Sequence, residues 1–103
     1  MNFFVVFTYS PFEVSRIDFG EMNRLFAELG LRNAVKDAEG EKKNLPTFTF
    51  IGEYNNCDKE ELKNILYSEI KNVFAERNLN ASIFIAVTEK ASIGIELLDF
   101  DRR

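Results

Sequence analysis

With 103 residues the chain has the usual size of one domain, and it can bury a hydrophobic core but has no room for two. Hydrophobic residues make up 46% and charged residues 29%, and no apolar run approaches the roughly 20 residues of a membrane-spanning helix. The net charge of −4 argues against nucleic-acid binding by the surface as a whole, so any such contact needs a local basic patch. We therefore expect one domain, residues 1–103, with no membrane association.

The first predicted element is a central β-strand over residues 2–9, which are apolar on both alternating faces. A helix is predicted next, because Asp18 and Glu21 have the spacing of a capping box. It begins at Asp18, or one turn earlier at Ser15, and Gly30 suits the left-handed position that ends a helix. Apolar residues recur along it every three or four positions: Phe19, Met22, Leu25, Phe26 and Leu29.

The middle of the chain has the pattern of a β-hairpin. Residues 31–36 are strand-like, residues 37–44 are polar and include Gly40, and residues 47–51 are rich in β-branched and aromatic side chains. We interpret these segments as the second strand, a hairpin loop and the third strand.

The last third of the chain predicts a second helix and a fourth strand. Asp58 and Glu61 repeat the capping-box spacing, and an apolar stripe of helical period continues until Asn78. Residues 81–87 form the predicted fourth strand. Beyond it the apolar residues alternate again, so we expect residues 88–103 to supply a further strand and tail that extends the sheet or crosses to a second subunit.

The element order β-α-β-β-α-β defines the predicted fold class. This is the split βαβ order, so we predict an α+β, ferredoxin-like sandwich: an antiparallel sheet with two helices on one face and an added C-terminal strand. Two helices can cover only one face of the sheet, and the first and third strands are rich in phenylalanine. Because the other face then needs a partner, we predict a homodimer.

The residue types that are missing exclude several kinds of chemistry. Histidine is absent, which removes the usual neutral-pH general base and every arrangement in which histidine activates a serine or cysteine. Cys57 is the only cysteine, so no intrachain disulfide can form, which fits a cytoplasmic location. The five glycines match no phosphate loop or dinucleotide fingerprint, and no carboxylate pair demands a metal. We predict no metal and no cofactor, including no nucleotide cofactor.

One segment is locally basic and is the predicted RNA-binding site. Arg32, Lys36, Lys42 and Lys43 cluster on the second strand and its hairpin, where they could contact phosphates. The alternative is a solvated loop whose lysines protect a sheet edge from pairing with other chains.

Several stretches between residues 4 and 51 follow the order seen in a known family. They are Phe7 to Pro11, Leu29 to Leu31, Val35 to Gly40, Leu45, and Thr49 with Phe50. In these stretches the chain resembles the antitoxin endoribonuclease GhoS, which is similar in fold to the VapD ribonucleases and to the small nuclease of the CRISPR adaptation complex. The resemblance implies a homodimer that binds or cleaves RNA, for example the transcript of a toxin in a toxin–antitoxin system.

The resemblance also suggests catalytic residues, although the sequence departs from the family pattern. Relatives often carry an aspartate at the end of the first strand, where this chain has Thr8, and the basic residue expected on the first helix is displaced to Arg24. In the catalytic interpretation Arg24, together with Arg32, holds phosphate, and Asp37 or Tyr9 assists proton transfer.

A different class of function fits the same departures. The missing aspartate, the absence of histidine and the net charge of −4 favour a non-enzymatic interaction or inhibitor protein, of phage or mobile-element origin, that occupies a basic site on a protein target.

Overall fold

A computed structural model describes residues 2–37, 39–55, 57–89 and Gly94. Its elements, in chain order, are β1 (Asn2–Pro11), a short 3-10 turn (Val14–Arg16), α1 (Phe19–Glu28), β2 (Ala34–Lys36), β3 (Lys42–Asn44), β4 (Thr49–Asn55), α2 (Lys59–Glu76) and β5 (Ala81–Thr88). The protein therefore has an α+β fold, with antiparallel strands and two α-helices within the described residues, as predicted at that level.

The main sheet has β1 at its centre. β4 and β5 flank β1, and both run antiparallel to it, so that Phe7 lies opposite Phe50 on one side and Ile85 on the other. At the outer side of β4, Arg32 and Ile51 exchange two backbone hydrogen bonds, each 2.8 Å long. This bridge attaches the chain that leads into β2 to the edge of β4.

One face of the sheet carries the core. Alternate residues of β1, namely Phe3, Val5, Phe7 and Tyr9, are buried beneath the helices, as the period of a strand requires. α2 contributes a buried residue at nearly every turn: Leu62, Leu66, Ile70 and Phe74. Aromatic rings fill the centre, with ring centroids 5.0 Å apart for Phe26 and Phe50 and 5.2 Å for Tyr9 and Phe74, and both of these pairs are edge to face.

Both α-helices begin as their sequences predict. The Asp18 carboxylate accepts the Glu21 backbone N–H at 3.1 Å, and Asp58 accepts that of Glu61 at the same distance. The carboxylate of Glu21, however, does not complete a capping box. It accepts a 2.7 Å hydrogen bond from the guanidinium of Arg77, which joins the start of α1 to the end of α2.

The predicted pairing of the second and third strands holds at Arg32, which bridges Ile51, and is wrong for the residues that follow it. β2 pairs with β3, which lies inside the segment predicted as loop, and not with β4. The cause is a tight turn: Asp37 accepts the backbone N–H groups of Glu39 and Glu41, at 3.0 and 2.9 Å, and Gly40 adopts a positive φ of 84°. The chain therefore reverses directly after Lys36. The strand predicted beyond Thr88 falls almost entirely outside the described residues.

The end of α1 lies close to β4, and this contact determines where the chain leaves α1 towards the β2–β3 hairpin. Gly30 ends α1 with a φ of 89°, and the Tyr54 hydroxyl donates a 2.6 Å hydrogen bond to the carbonyl of Leu29. A Cβ atom on Gly52 would lie 2.7 Å from the Gly30 carbonyl oxygen and 2.8 Å from the Tyr54 ring. Only glycine fits at position 52, and the segment that follows Gly30 is thereby held against the sheet edge.

Candidate nucleic-acid interface

An open cavity of about 540 Å³ lies between α1 and the β2–β3 hairpin. We call it the basic groove and define it by its polar lining: Asn23, Arg32, Asn33, Lys36, Lys42 and Asn44. The remaining lining residues are Ala27, Ala34 and Val35. Three cations and three side-chain amides thus meet in one cavity, and its described lining includes no aspartate or glutamate.

Strand geometry explains part of this lining, namely Arg32, Ala34, Lys36, Lys42 and Asn44, whereas Asn33 and Val35 belong to the alternate positions. Successive residues of a strand alternate between its two sides, so Arg32, Ala34 and Lys36 project from the same side. The register places Lys42 opposite Lys36 and Asn44 opposite Ala34, which brings both to that side as well. Within the described residues, the side chains of Arg32, Lys36 and Lys42 form no ion pair. Their charges are available to an anionic ligand.

Lys43 is separated from the other three basic residues. It does not line the groove, and its Nζ atom is 3.5 Å from Glu41 Oε2 and 3.9 Å from Asp37 Oδ2. The sequence cluster of four cations therefore divides into three that line the groove and one that is paired with carboxylates of the turn.

Asn33 anchors the groove to the sheet. Its side-chain nitrogen donates to the backbone carbonyl oxygens of Pro46 and Thr49, at 3.1 and 2.6 Å. Its backbone carbonyl accepts the Leu45 N–H at 2.8 Å. Sequence reasoning missed Asn23, Asn33 and Asn44, because asparagine is common in loops and none of the three belongs to a recognisable motif.

The three predicted catalytic residues occupy separate surroundings. Tyr9 is only 3% exposed, in the aromatic core, and burial raises the pKa of its hydroxyl to about 12. Its hydroxyl has no hydrogen-bond partner among the described residues. Arg24 is exposed on α1, where it pairs with Glu28 at 3.4 Å. The Asp37 carboxylate is occupied by the backbone N–H groups of the hairpin turn.

These positions give each predicted catalytic residue a structural explanation. Tyr9 packs in the core, and Asp37 shapes the backbone of the turn. Arg24 forms an exposed ion pair on a helix, which contributes little to stability. None of the three lines the basic groove, whereas Arg32, the proposed phosphate ligand, does. The assignment of catalytic roles to Tyr9, Arg24 and Asp37 stays a prediction.

Two further observations on the described part of the chain concern metal ligands and helix hydropathy. Its residues contain no group of three or more histidine, cysteine, aspartate or glutamate side chains arranged to hold a metal ion. Neither of its α-helices is both long and apolar enough to cross a membrane.

Comparison with known proteins finds no matching family model, no matching curated protein and no matching solved structure. The resemblance to GhoS therefore stays a prediction.

Proposed function

We propose that the protein is an RNA-binding protein of the antitoxin type and that it holds phosphates in the basic groove. One observation carries the proposal: a chain with a net charge of −4 gathers Arg32, Lys36 and Lys42 in one cavity whose described lining is free of carboxylates. Phosphate contacts supply most of the affinity of nucleic-acid binding, and they need this local excess of positive charge. The amides of Asn23 and Asn44 add neutral donors for phosphate or sugar oxygens.

Binding is better supported than cleavage. Hydrolysis of RNA needs a general base and acid close to the scissile phosphate, and the described lining of the groove contains no carboxylate, hydroxyl or imidazole. The endoribonuclease activity implied by the GhoS resemblance would require Tyr9, Asp37 or Arg24 to reach the groove. The proposal is therefore an RNA-binding antitoxin acting on a toxin transcript in the cytoplasm.

We also propose that the α+β fold is a ferredoxin-like sandwich. In that fold the second strand lies beside the third, at the edge of a sheet whose first strand is central. The order β5-β1-β4, with Arg32 bridged to Ile51 at the outer side of β4, supports this arrangement. The short β2 and the inserted β3 are departures from it.

We also propose that the protein forms a homodimer through β5. Within the described residues, the eight-residue β5 lies at the edge of the three-stranded sheet and pairs with β1. Phe84 on β5 is 59% exposed and lies opposite Thr8, on the sheet face away from the helices. A second copy could pair with this edge and bury Phe84. The proposal predicts that Phe84→Glu is monomeric by light scattering, and a dimeric Phe84→Glu would contradict it.

A second candidate function is the binding of a protein target. Phe12 and Val14, in the turn after β1, are 72% and 52% exposed, and exposed apolar residues of this size are typical of protein interfaces. This candidate predicts that the wild-type protein binds no RNA.

Adjacent lysines provide a matched test of the RNA proposal. Lys42→Gln and Lys43→Gln remove the same charge from neighbouring residues, but only Lys42 lines the groove. We would measure fluorescence anisotropy of a labelled single-stranded RNA from 50 to 200 mM salt, and follow RNA length on a gel. Loss of one phosphate contact should reduce the slope of log affinity against log salt by about 0.7 in Lys42→Gln, with no change in Lys43→Gln.

Three outcomes would contradict parts of this proposal. Equal slopes for the two variants would remove Lys42 from the binding site. Undetectable RNA binding by the wild type would favour the protein-target candidate. Shortening of the RNA by the wild type, absent in Tyr9→Phe, would restore the catalytic interpretation.

A further inference from the structure

A second cavity adjoins the basic groove on the open face of the sheet. It also measures about 540 Å³, and it shares Arg32, Ala34, Val35 and Lys36 with the groove as a common wall. The rest of its wall belongs mainly to the sheet and includes Phe4, Ile51 and Glu53. Cavities of this size accommodate small molecules or single residues of a polymer.

The strand register brings an aromatic ring and a carboxylate side by side in this cavity. Phe4 of β1 lies directly opposite Glu53 of β4, and cross-strand neighbours on one face have Cβ atoms about 5 Å apart. Phe4 belongs to the alternate set of β1 residues that face away from the helices, and it is partly buried. Ile51, which is bridged to Arg32, adds a second apolar surface.

The chemistry of this cavity differs from that of the groove in two respects. It offers an aromatic face, and Glu53 is the one carboxylate that lines either cavity in the described part of the chain. A site for phosphate alone would exclude both features. A nucleobase uses both, because its ring stacks on an aromatic side chain and its exocyclic amino group donates to a carboxylate.

We propose that the protein binds single-stranded nucleic acid, with phosphates in the basic groove and one unpaired base stacked on Phe4. The base carries an exocyclic amino group, as cytosine does, and donates a hydrogen bond from it to Glu53. Arg32 and Lys36, which line both cavities, hold the phosphates on either side of this base. A duplex cannot bind in this way because its bases are paired and stacked on one another. This inference rests on the proposed function and names the ligand of the same site.

The test compares three proteins on four labelled ligands. The proteins are the wild type, Phe4→Leu, which keeps an apolar side chain of similar size but has no ring, and Glu53→Ala. The ligands are twelve-residue oligocytidine, oligouridine, oligodeoxycytidine and an RNA duplex, each measured by anisotropy at one fixed salt concentration. Light scattering and thermal unfolding of each protein establish that the variants keep the fold and the oligomeric state.

The expected results separate the two side chains. The wild type should bind oligocytidine about tenfold more tightly than oligouridine. Glu53→Ala should bind the two equally well. The loss of a negative charge raises the affinity for both ligands, so the comparison uses the ratio of the two affinities. Phe4→Leu should weaken both single strands by about tenfold and leave the duplex unchanged. If oligodeoxycytidine and oligocytidine bind equally well, the site accepts both single-stranded DNA and single-stranded RNA. If oligodeoxycytidine binds more weakly, the site is specific for RNA.

The outcomes also distinguish a failure of the base site from a failure of the proposed RNA-binding function. If the wild type binds RNA but Phe4→Leu binds single strands equally well, or Glu53→Ala keeps the cytidine preference, the base site is overturned while the basic groove stands. If the wild type binds none of the four ligands, the proposed function itself fails. A change in oligomeric state in Phe4→Leu would assign Phe4 to an interface between copies and overturn the base site.

Discussion

The helix-covered face of the sheet and the β2–β3 hairpin use their polar side chains in different ways. Under the helices, Tyr9 is buried and Tyr54 is partly buried, and the Tyr54 hydroxyl forms the hydrogen bond that joins β4 to the end of α1. On the hairpin, Arg32, Lys36 and Lys42 stand exposed and form no ion pair with a described residue. The first region should govern stability and the second should govern binding, so substitutions in the two should have separable effects.

The largest expected effect on stability comes from the junction between α1 and β4. Gly52→Ala would place a methyl group 2.7 Å from the Gly30 carbonyl oxygen, which forces the backbone of two elements apart. We expect a loss of about 2 kcal/mol in the free energy of unfolding and a fall in Tm of roughly 10 °C. Gly20→Ala is the matched control, because its nearest neighbour would be the Asp18 carboxylate at an ordinary 3.6 Å. Similar Tm values for the two variants would show that the junction is not tight.

Alkaline pH should weaken the same face of the sheet. Burial raises the pKa of both Tyr9 and Tyr54 from 10.0 to about 12, so between these values the folded protein holds protons that the unfolded chain releases. Stability from these groups is complete below pH 10 and is lost as the pH rises towards 12. Denaturant unfolding at pH 9 and pH 11 measures the loss. The double variant Tyr9→Phe with Tyr54→Phe should lose less between these pH values, and an unchanged loss would contradict the assignment.

The two tyrosines should respond differently when each loses its hydroxyl. Tyr54→Phe removes a 2.6 Å hydrogen bond to the Leu29 carbonyl and should cost about 1 kcal/mol. Tyr9→Phe removes a buried hydroxyl for which the described residues supply no partner, so stability should stay the same or rise. Urea unfolding of the two variants makes the comparison. A clear loss of stability in Tyr9→Phe would show that its hydroxyl is satisfied by a group beyond the described residues.

The smallest effect on stability is expected in the hairpin. Lys36→Gln with Lys42→Gln removes two exposed charges that form no ion pair with a described residue, and the free energy of unfolding should change by no more than about 0.5 kcal/mol. RNA affinity should fall far more. A large drop in Tm would break the separation between the two regions.

The sequence predicted those features that depend on local patterns. The helix starts at Asp18 and Asp58 follow from capping, and the central position of β1 follows from its apolar residues. The pairing of β2 with β3 was missed because Lys42 to Asn44 is polar and exposed, so it lacks the hydrophobic alternation that marks a strand. What forms it is the turn made by Asp37 and Gly40.

The candidate site was only partly accessible from the sequence for the same reason. Four neighbouring cations were visible, but the cavity that three of them line and the carboxylates that pair with Lys43 depend on tertiary contacts that composition does not reveal. Phe4 and Glu53 are 49 positions apart, and only strand pairing brings them together. The burial of Tyr9 was equally hidden, because a tyrosine in an apolar strand can face either side of the sheet.

The most direct test of the basic groove as the RNA-binding site is an NMR titration of the isotope-labelled protein with single-stranded oligocytidine. We predict that the NMR signals of the backbone amides of Asn23, Arg32, Asn33, Lys36, Lys42 and Asn44, and of the side-chain amides of the three asparagines, shift progressively. The amide signals of residues on the outer surface of α2 should not shift. Perturbations concentrated on α2 or on the turn at Phe12 and Val14, with the groove unaffected, would contradict the account.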